Sequence, residues 1–247
     1  MSRNIVITSG KGGVGKSSVT AYLGAELCKH RKKVLLIDMD EGLRSLDLML
    51  NVSSETVFDI TDLIDGNCSI LQSLLQIPGC PELYLLPAPA TKGAIEQGDV
   101  LKSIVSELSE MFDYILIDSP AGIGEGFYTS LSIADEALLV VNPDPVSVRD
   151  GGIVSKLLRK NGIDKIRLVI NKLNTSLMIK GSFLNVDEII DQTEVQLIAA
   201  IPTDYEIVKS SAKGEMLPPS YAKDAFKRFA SRLEGAHIIL PKLQKFT

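Results

Sequence analysis

Short, unbroken apolar runs recur along this chain, separated by longer stretches in which apolar residues return every three or four positions. The runs fall at residues 4–8, 33–37, 83–86, 114–117, 137–141, 167–170 and 197–201. Continuous rather than alternating apolar character marks strands covered on both faces, as in a parallel sheet. The stretches between them predict helices over 21–27, 101–111, 147–160, 186–193, 204–211 and 223–233. Strand alternating with helix predicts an α/β fold: a single, doubly wound, mainly parallel sheet with helices on both faces. No repeat or long linker divides the chain, so residues 1–234 read as one domain and 235–247 as a tail. Two stretches are less regular. Residues 66–81 hold a predicted helix over 69–76, ended by Pro78-Gly79, and 178–184 has no clear period.

The first strand runs into Gly10-Lys11-Gly12-Gly13-Val14-Gly15-Lys16-Ser17-Ser18, and a helix follows. Strand, glycine-rich loop and helix form the context of a phosphate-binding loop. Glycines let successive backbone N–H groups turn toward a phosphate chain, and the helix N-terminus adds a favourable dipole. Lys16 is placed to neutralise the β- and γ-phosphates and the Ser17 hydroxyl to ligate Mg²⁺. The pattern therefore predicts a nucleoside triphosphate site.

Two strand ends add carboxylates. In Ile115-Leu116-Ile117-Asp118 the acid follows three apolar residues and is expected to stand exposed at the carboxyl edge of the sheet, where it would hold Mg²⁺. In Ile37-Asp38-Met39-Asp40, alternation puts Asp38 and Asp40 on one side. Asp38 would support the Mg²⁺ shell, and a carboxylate near the γ-phosphate can orient an attacking water. Ile170-Asn171-Lys172 ends another strand with an amide able to both donate and accept, which suits either a turn or an adenine ring.

Composition narrows the partners. The formal net charge of −5 disfavours general adhesion to DNA. Cys28, Cys68 and Cys80 include no Cys-x-x-Cys pair, so they suggest neither a zinc nor an iron–sulfur site and fit a reducing cytoplasm. The chain enters a strand almost at once, which argues against a signal peptide, and no apolar run approaches the roughly 20 residues needed to cross a bilayer.

The second lysine of the loop, Lys11, completes a KGGxGK[ST] pattern that resembles the deviant phosphate-loop ATPases, the MinD/ParA family. Further segments resemble the division-site branch of that family: Gly42-Leu43-Arg44-Ser45-Leu46-Asp47, Asp118-Ser119-Pro120-Ala121-Gly122-Ile123 followed by Gly126-Phe127, and Ser147-Val148-Arg149-Asp150. The resemblance covers about residues 4–233. It implies a Mg²⁺-dependent ATPase that forms an ATP-bridged homodimer, with Lys11 reaching the partner's phosphates. Asp40 would orient the water, and Asn171 and the segment around Pro202 would contact adenine. Arg44, Asp47, Pro120, Ala121, Gly122 and Asp150 would act as switch or partner-binding positions. The implied partners are a division inhibitor of the MinC type, a topological-specificity regulator of the MinE type and anionic lipids on the inner membrane face.

The chain departs from the family in three places. Ser17-Ser18 replaces the usual paired threonines and keeps the Mg²⁺-binding hydroxyl. Gly151-Gly152 follows Asp150, and two glycines there weaken the start of a helix. The family generally ends in a basic amphipathic helix. Here Pro241 leaves only about two turns, with Leu243 and Phe246 on one face and Lys242 and Lys245 elsewhere. A tail of which residues 238–240 pack on the core is the alternative. In function the alternatives are a DNA-partitioning ATPase, using Lys223, Lys227, Arg228 and Arg232, or a flagellar-number regulator.

Overall fold

The computed structural model describes residues 2–95 and 98–240. In chain order its elements are β1 (Arg3–Thr8), α1 (Lys16–Lys29), β2 (Val34–Asp38), α2 (Ser45–Met49), α3 (Ile60–Ile64), α4 (Ile70–Ser73), β3 (Leu75–Gln76), β4 (Leu83–Leu86), α5 (Gly98–Leu108), β5 (Tyr114–Asp118), α6 (Glu125–Ser132), β6 (Glu136–Val141), α7 (Pro145–Lys160), β7 (Lys165–Leu173), α8 (Thr175–Ile179), α9 (Val186–Thr193), β8 (Leu197–Pro202), α10 (Tyr205–Lys213) and α11 (Tyr221–Leu233). The strands form one sheet in the order β3-β4-β2-β5-β1-β6-β7-β8, and only the β3–β4 pair is antiparallel. The expected doubly wound sheet is therefore present, with one short edge strand added.

The unbroken apolar runs have the expected cause. Every residue of β2 and β5 is buried, because the two faces of the sheet carry separate cores. Val34, Leu36 and Leu116 face the core made with α1 and α11, whereas Leu35, Ile37, Ile115 and Ile117 face the one made with α5, α6, α7 and α9. Helix α1 is buried nearly all round since it lies between the sheet and α11. Tyr22 of α1 meets Phe226 of α11 at 5.7 Å between ring centroids.

The helix expected over 69–76 is corrected: the turn α4 ends at Ser73, and Leu75 and Gln76 pair with Leu85 and Tyr84 as β3. A sheet edge with unpaired N–H and C=O groups wins over local helical pattern. The short helices α2, α3, α6 and α8 span five to eight residues, too little for a period to show. Gly151 and Gly152 do not weaken a helix start. Asp144 caps α7, accepting from the Ser147 N–H at 3.0 Å, and the helix runs unbroken through both glycines.

Those glycines instead allow α7 to lie close on its neighbours. A Cβ on Gly151 would stand 2.6 Å from a Val141 methyl, and one on Gly152 would stand 2.8 Å from the Gln192 carbonyl oxygen of α9. The obstacle at Gly152 is backbone and cannot rotate away. Gly152→Val is expected to destabilise the fold by about 2 kcal/mol through overpacking. Urea unfolding would show a lower midpoint with an unchanged slope.

Candidate nucleotide site

The sheet order changes direction around β1, which lies between β5 and β6. In such sheets ligands bind beyond the carboxyl ends of the strands at this point. The orphaned groups agree. Eight buried side-chain polar atoms lack a hydrogen-bond partner among the described residues; five lie at or just past carboxyl strand ends, Thr8 Oγ1, Asn142 Oδ1, Thr175 Oγ1 and both Asp118 carboxylate oxygens, and a sixth, Asp47 Oδ1, lies in α2, whose Leu46 N–H donates to Asp38.

Between β1 and α1 the glycine loop is gripped from two sides. Gly13 and Gly15 take φ of 74° and 96°, which a side chain rarely adopts. A Cβ on Gly15 would stand 2.4 Å from Asn171 Nδ2, and one on Gly10 would stand 2.7 Å from the Asp150 backbone. The register of β7 shifts between Ile170 and Leu173, and Lys172 takes φ 53° there. From this irregular strand end, Asn171 Nδ2 donates to the Val14 carbonyl and Lys172 Nζ to the Gly13 carbonyl, each at 2.7 Å. Lys16 is buried, whereas the side chain of Lys11 is 47% exposed and lies 3.8 Å from Asp144 Oδ1.

Asp38 and Asp118 sit at directly paired positions of β2 and β5. Contrary to expectation, Asp118 is not exposed; it is the last residue of its strand and 1% accessible. Neither of its oxygens makes a hydrogen bond of ordinary geometry. Burial drives its pKa upward and the Asp38 charge adds to this; the Ser17 hydroxyl and Lys16 are near enough only to ease it. Asp38 is raised too, chiefly by burial, although its carboxylate accepts from the Asp40 and Leu46 N–H groups at 2.9 and 3.2 Å. Two buried, adjacent carboxylates beside a hydroxyl, Asp118 without a hydrogen bond among the described residues, make an oxygen donor set suited to Mg²⁺. Asp40 lies two residues beyond β2 and is half-buried. Desolvation raises its pKa, opposed by the charges of Lys16 and Lys92.

The segments flagged as switches border this site. Ala121 is 3.7 Å from where a Gly12 Cβ would be, and Pro120 packs on Gly126, where a Cβ would meet its ring at 2.8 Å. Gly122 turns the chain with φ 86°. Arg44 caps α2 in a left-handed conformation and pairs with the buried Asp47 at 2.8 Å. Glu41 accepts from the backbone N–H groups of Gly93 and Ile95, tying the Asp40 loop to the segment after β4. Asp150 pairs with Arg149 at 2.9 Å while its backbone abuts Gly10. Pro202 is buried at the end of β8, paired with Leu173. Lys242, Leu243, Lys245 and Phe246 lie outside the described residues.

Sequence reasoning missed three charged groups here. Lys92 faces Asp40 from an irregular segment, and Asp144 reaches Lys11 from the start of α7; neither has a local signal. Lys172 was visible only as the neighbour of Asn171.

Fold, loop and paired carboxylates together define a phosphate-loop NTPase. The ParA family model, described as "NUBPL iron-transfer P-loop NTPase", matches residues 1–234. The septum site-determining protein MinD of Synechocystis is 42% identical over 96% of this chain and 91% of its own length. A structure of the Aquifex aeolicus MinC:MinD cell division protein complex superposes with a TM-score of 0.90 at 37% identity, covering 98% of this chain and 99% of that one. MinD of Pyrococcus horikoshii complexed with Mg-ADP does so with 0.86 at 28% identity, covering 95% and 96%. The chain belongs to the ParA family of P-loop NTPases, in its MinD branch.

Raised carboxylate pKa values have a defined sign in folding. Between the unfolded value of about 4 and the raised folded values, the native state holds more protons, so stability falls as pH rises through that window. In chelator, the melting temperature is expected to fall on going from about pH 5 to about pH 8. Mg²⁺ should reduce the slope. Asp118→Asn should flatten it and raise metal-free stability near neutral pH by about 2 kcal/mol. Calorimetry with and without Mg²⁺ reads all three.

Proposed function

We propose that this chain is an ATP-dependent dimerising switch of bacterial division-site selection. Its ATP form would bind the inner face of the membrane and recruit a division inhibitor of the MinC type, and hydrolysis would release it. The observation that carries the reading is the opposite placement of two lysines in one loop: Lys16 is buried beside the carboxylate pair, and Lys11 projects half-exposed. One suits the chain's own triphosphate and the other a partner's. The MinD relatives over nearly the full length support the cellular role.

In this reading the backbone N–H groups of residues 10–17 cradle the phosphates, with Lys16 across the β- and γ-oxygens. Mg²⁺, held by Ser17 and Asp118 with Asp38 behind them, would neutralise charge on the phosphate oxygens. Asp40 orients the attacking water, and burial, by raising its pKa, makes it a stronger base than an exposed aspartate. Asn171 serves twice, fixing the loop through Val14 and presenting its amide oxygen toward adenine, with the Pro202 segment on the other side. The segments carrying Arg44–Asp47 and Pro120–Gly122 sense the γ-phosphate, and Asp150 conveys that state to a regulator of the MinE type. Residues 235–247 act as the membrane-targeting tail.

The DNA-partitioning alternative has no comparable support. Lys223 Nζ donates to the Leu217 carbonyl and Lys227 lies 3.5 Å from Asp224.

Light scattering in ATP and in ADP tests the dimer. Lys16→Ala should weaken nucleotide binding by about 10- to 100-fold, the loss of one or two charge-assisted hydrogen bonds. Lys11→Ala should keep nucleotide binding within about threefold yet abolish the ATP dimer. Asp40→Ala should keep the dimer and lower turnover at least ~100-fold. A Lys11→Ala protein that still dimerises in ATP would overturn the trans role. Sedimentation with anionic vesicles tests the membrane step: the full chain should pellet in ATP and not in ADP, and a chain ending at Gly235 in neither.

A further inference from the structure

Two of the eight orphaned polar atoms lie far from the nucleotide site. Ser2 Oγ and Arg232 Nη1 both belong to residues lining a groove of about 750 Å³ at the opposite edge of the sheet. The groove crosses the amino-terminal ends of β1, β6, β7 and β8, and the last turn of α11 closes one side.

Its charges are unbalanced. Arg3 is committed: it pairs with Glu136 at 2.6 Å and donates to the Leu233 carbonyl at 2.7 Å, locking the end of α11 to β1. Glu136 thereby has its partner, and Lys165 stands 3.7 Å from its other oxygen with a side chain 76% exposed. Among the described residues, Arg167 donates only to the Ile166 carbonyl, and Arg232 only to that of Leu197. Burial lowers the pKa of Arg232, a sign that its guanidinium lacks a counter-charge. With Asp135 at the rim, the lining carries four cations against two acids. Guanidinium groups without carboxylate partners beside an open groove form a receptor for phosphate oxygens.

Position names the source of that phosphate. Helix α11 ends at Leu233 on the groove wall, so the tail begins at this edge of the domain, and its Leu240 packs back on the core. We infer that the groove binds the phosphate of an anionic lipid headgroup through Lys165, Arg167 and Arg232, beside the tail that enters the membrane. This deepens the membrane reading and rests on it. A short tail carrying Lys242 and Lys245 gains little affinity alone, and a headgroup held by the folded domain adds a second contact on the same surface.

The test is sedimentation of the full chain in Mg-ATP with phosphatidylglycerol–phosphatidylcholine vesicles, comparing the native sequence, Lys165→Gln/Arg167→Gln and the chain ending at Gly235. In parallel, binding of the soluble headgroup glycerophosphoglycerol is measured with the phosphate loop saturated by Mg-ADP. The double variant should lose at least about tenfold in vesicle affinity, lose headgroup binding and keep its vesicle-free ATP turnover. If it pellets like the native chain while the truncated chain does not, the groove proposal is overturned and the membrane reading stands. If the native chain never pellets, the membrane reading fails. Headgroup binding that persists in that case, and vanishes in the double variant, overturns the lipid source and assigns the groove to a soluble phosphate. Absence of both overturns the anion site as well.

Discussion

Burial of Asp118 beside Asp38 is the constraint around which the site is built. Two carboxylates at paired positions of adjacent strands, both about 1% accessible, repel each other in a medium that screens poorly. Asp38 is eased by two backbone N–H groups from the loop that follows it; Asp118 has no such help. A cation bound there relieves the strain, and the loop that would hold its phosphate partners lies directly adjacent. The same two backbone bonds tie Asp40 and the start of α2 to the end of β2, so the site's charge and the shape of its border are coupled.

The loop itself is held by the rest of the fold. The end of β7 fixes the loop's carbonyls through Asn171 and Lys172, and α7 presses its backbone against Gly10. Helix α7 can approach only because Gly151 and Gly152 let it sit close to β6 and α9. Asp150 lies one residue before that contact. A movement of α7 would therefore change the wall of the phosphate loop.

The edges of legibility are specific. Seven strands were visible because each has a stretch buried on two faces, even β7 with its alternating start, and helices 147–160 and 223–233 because they are long enough to show a period. Strand β3 was read as helix since its two residues obey an edge hydrogen-bonding demand that local pattern does not encode. Asp118 was located correctly in sequence but misjudged in exposure. The strand's end is decided by how far the neighbouring chains extend over it, and β2 extends to Asp38.

The sequence by itself determined the class of chemistry. A phosphate loop is a local motif whose glycines, lysine and serine act within a few residues of one another, so its spacing is its function. Tertiary structure alone decided which groups meet across the chain: Asp118 against Asp38, Lys92 near Asp40, Lys172 on Gly13, and Arg167 with Arg232 at the far edge. Those pairings join residues that a parallel sheet brings together by crossover connections. No periodicity or motif records which strand will lie beside which.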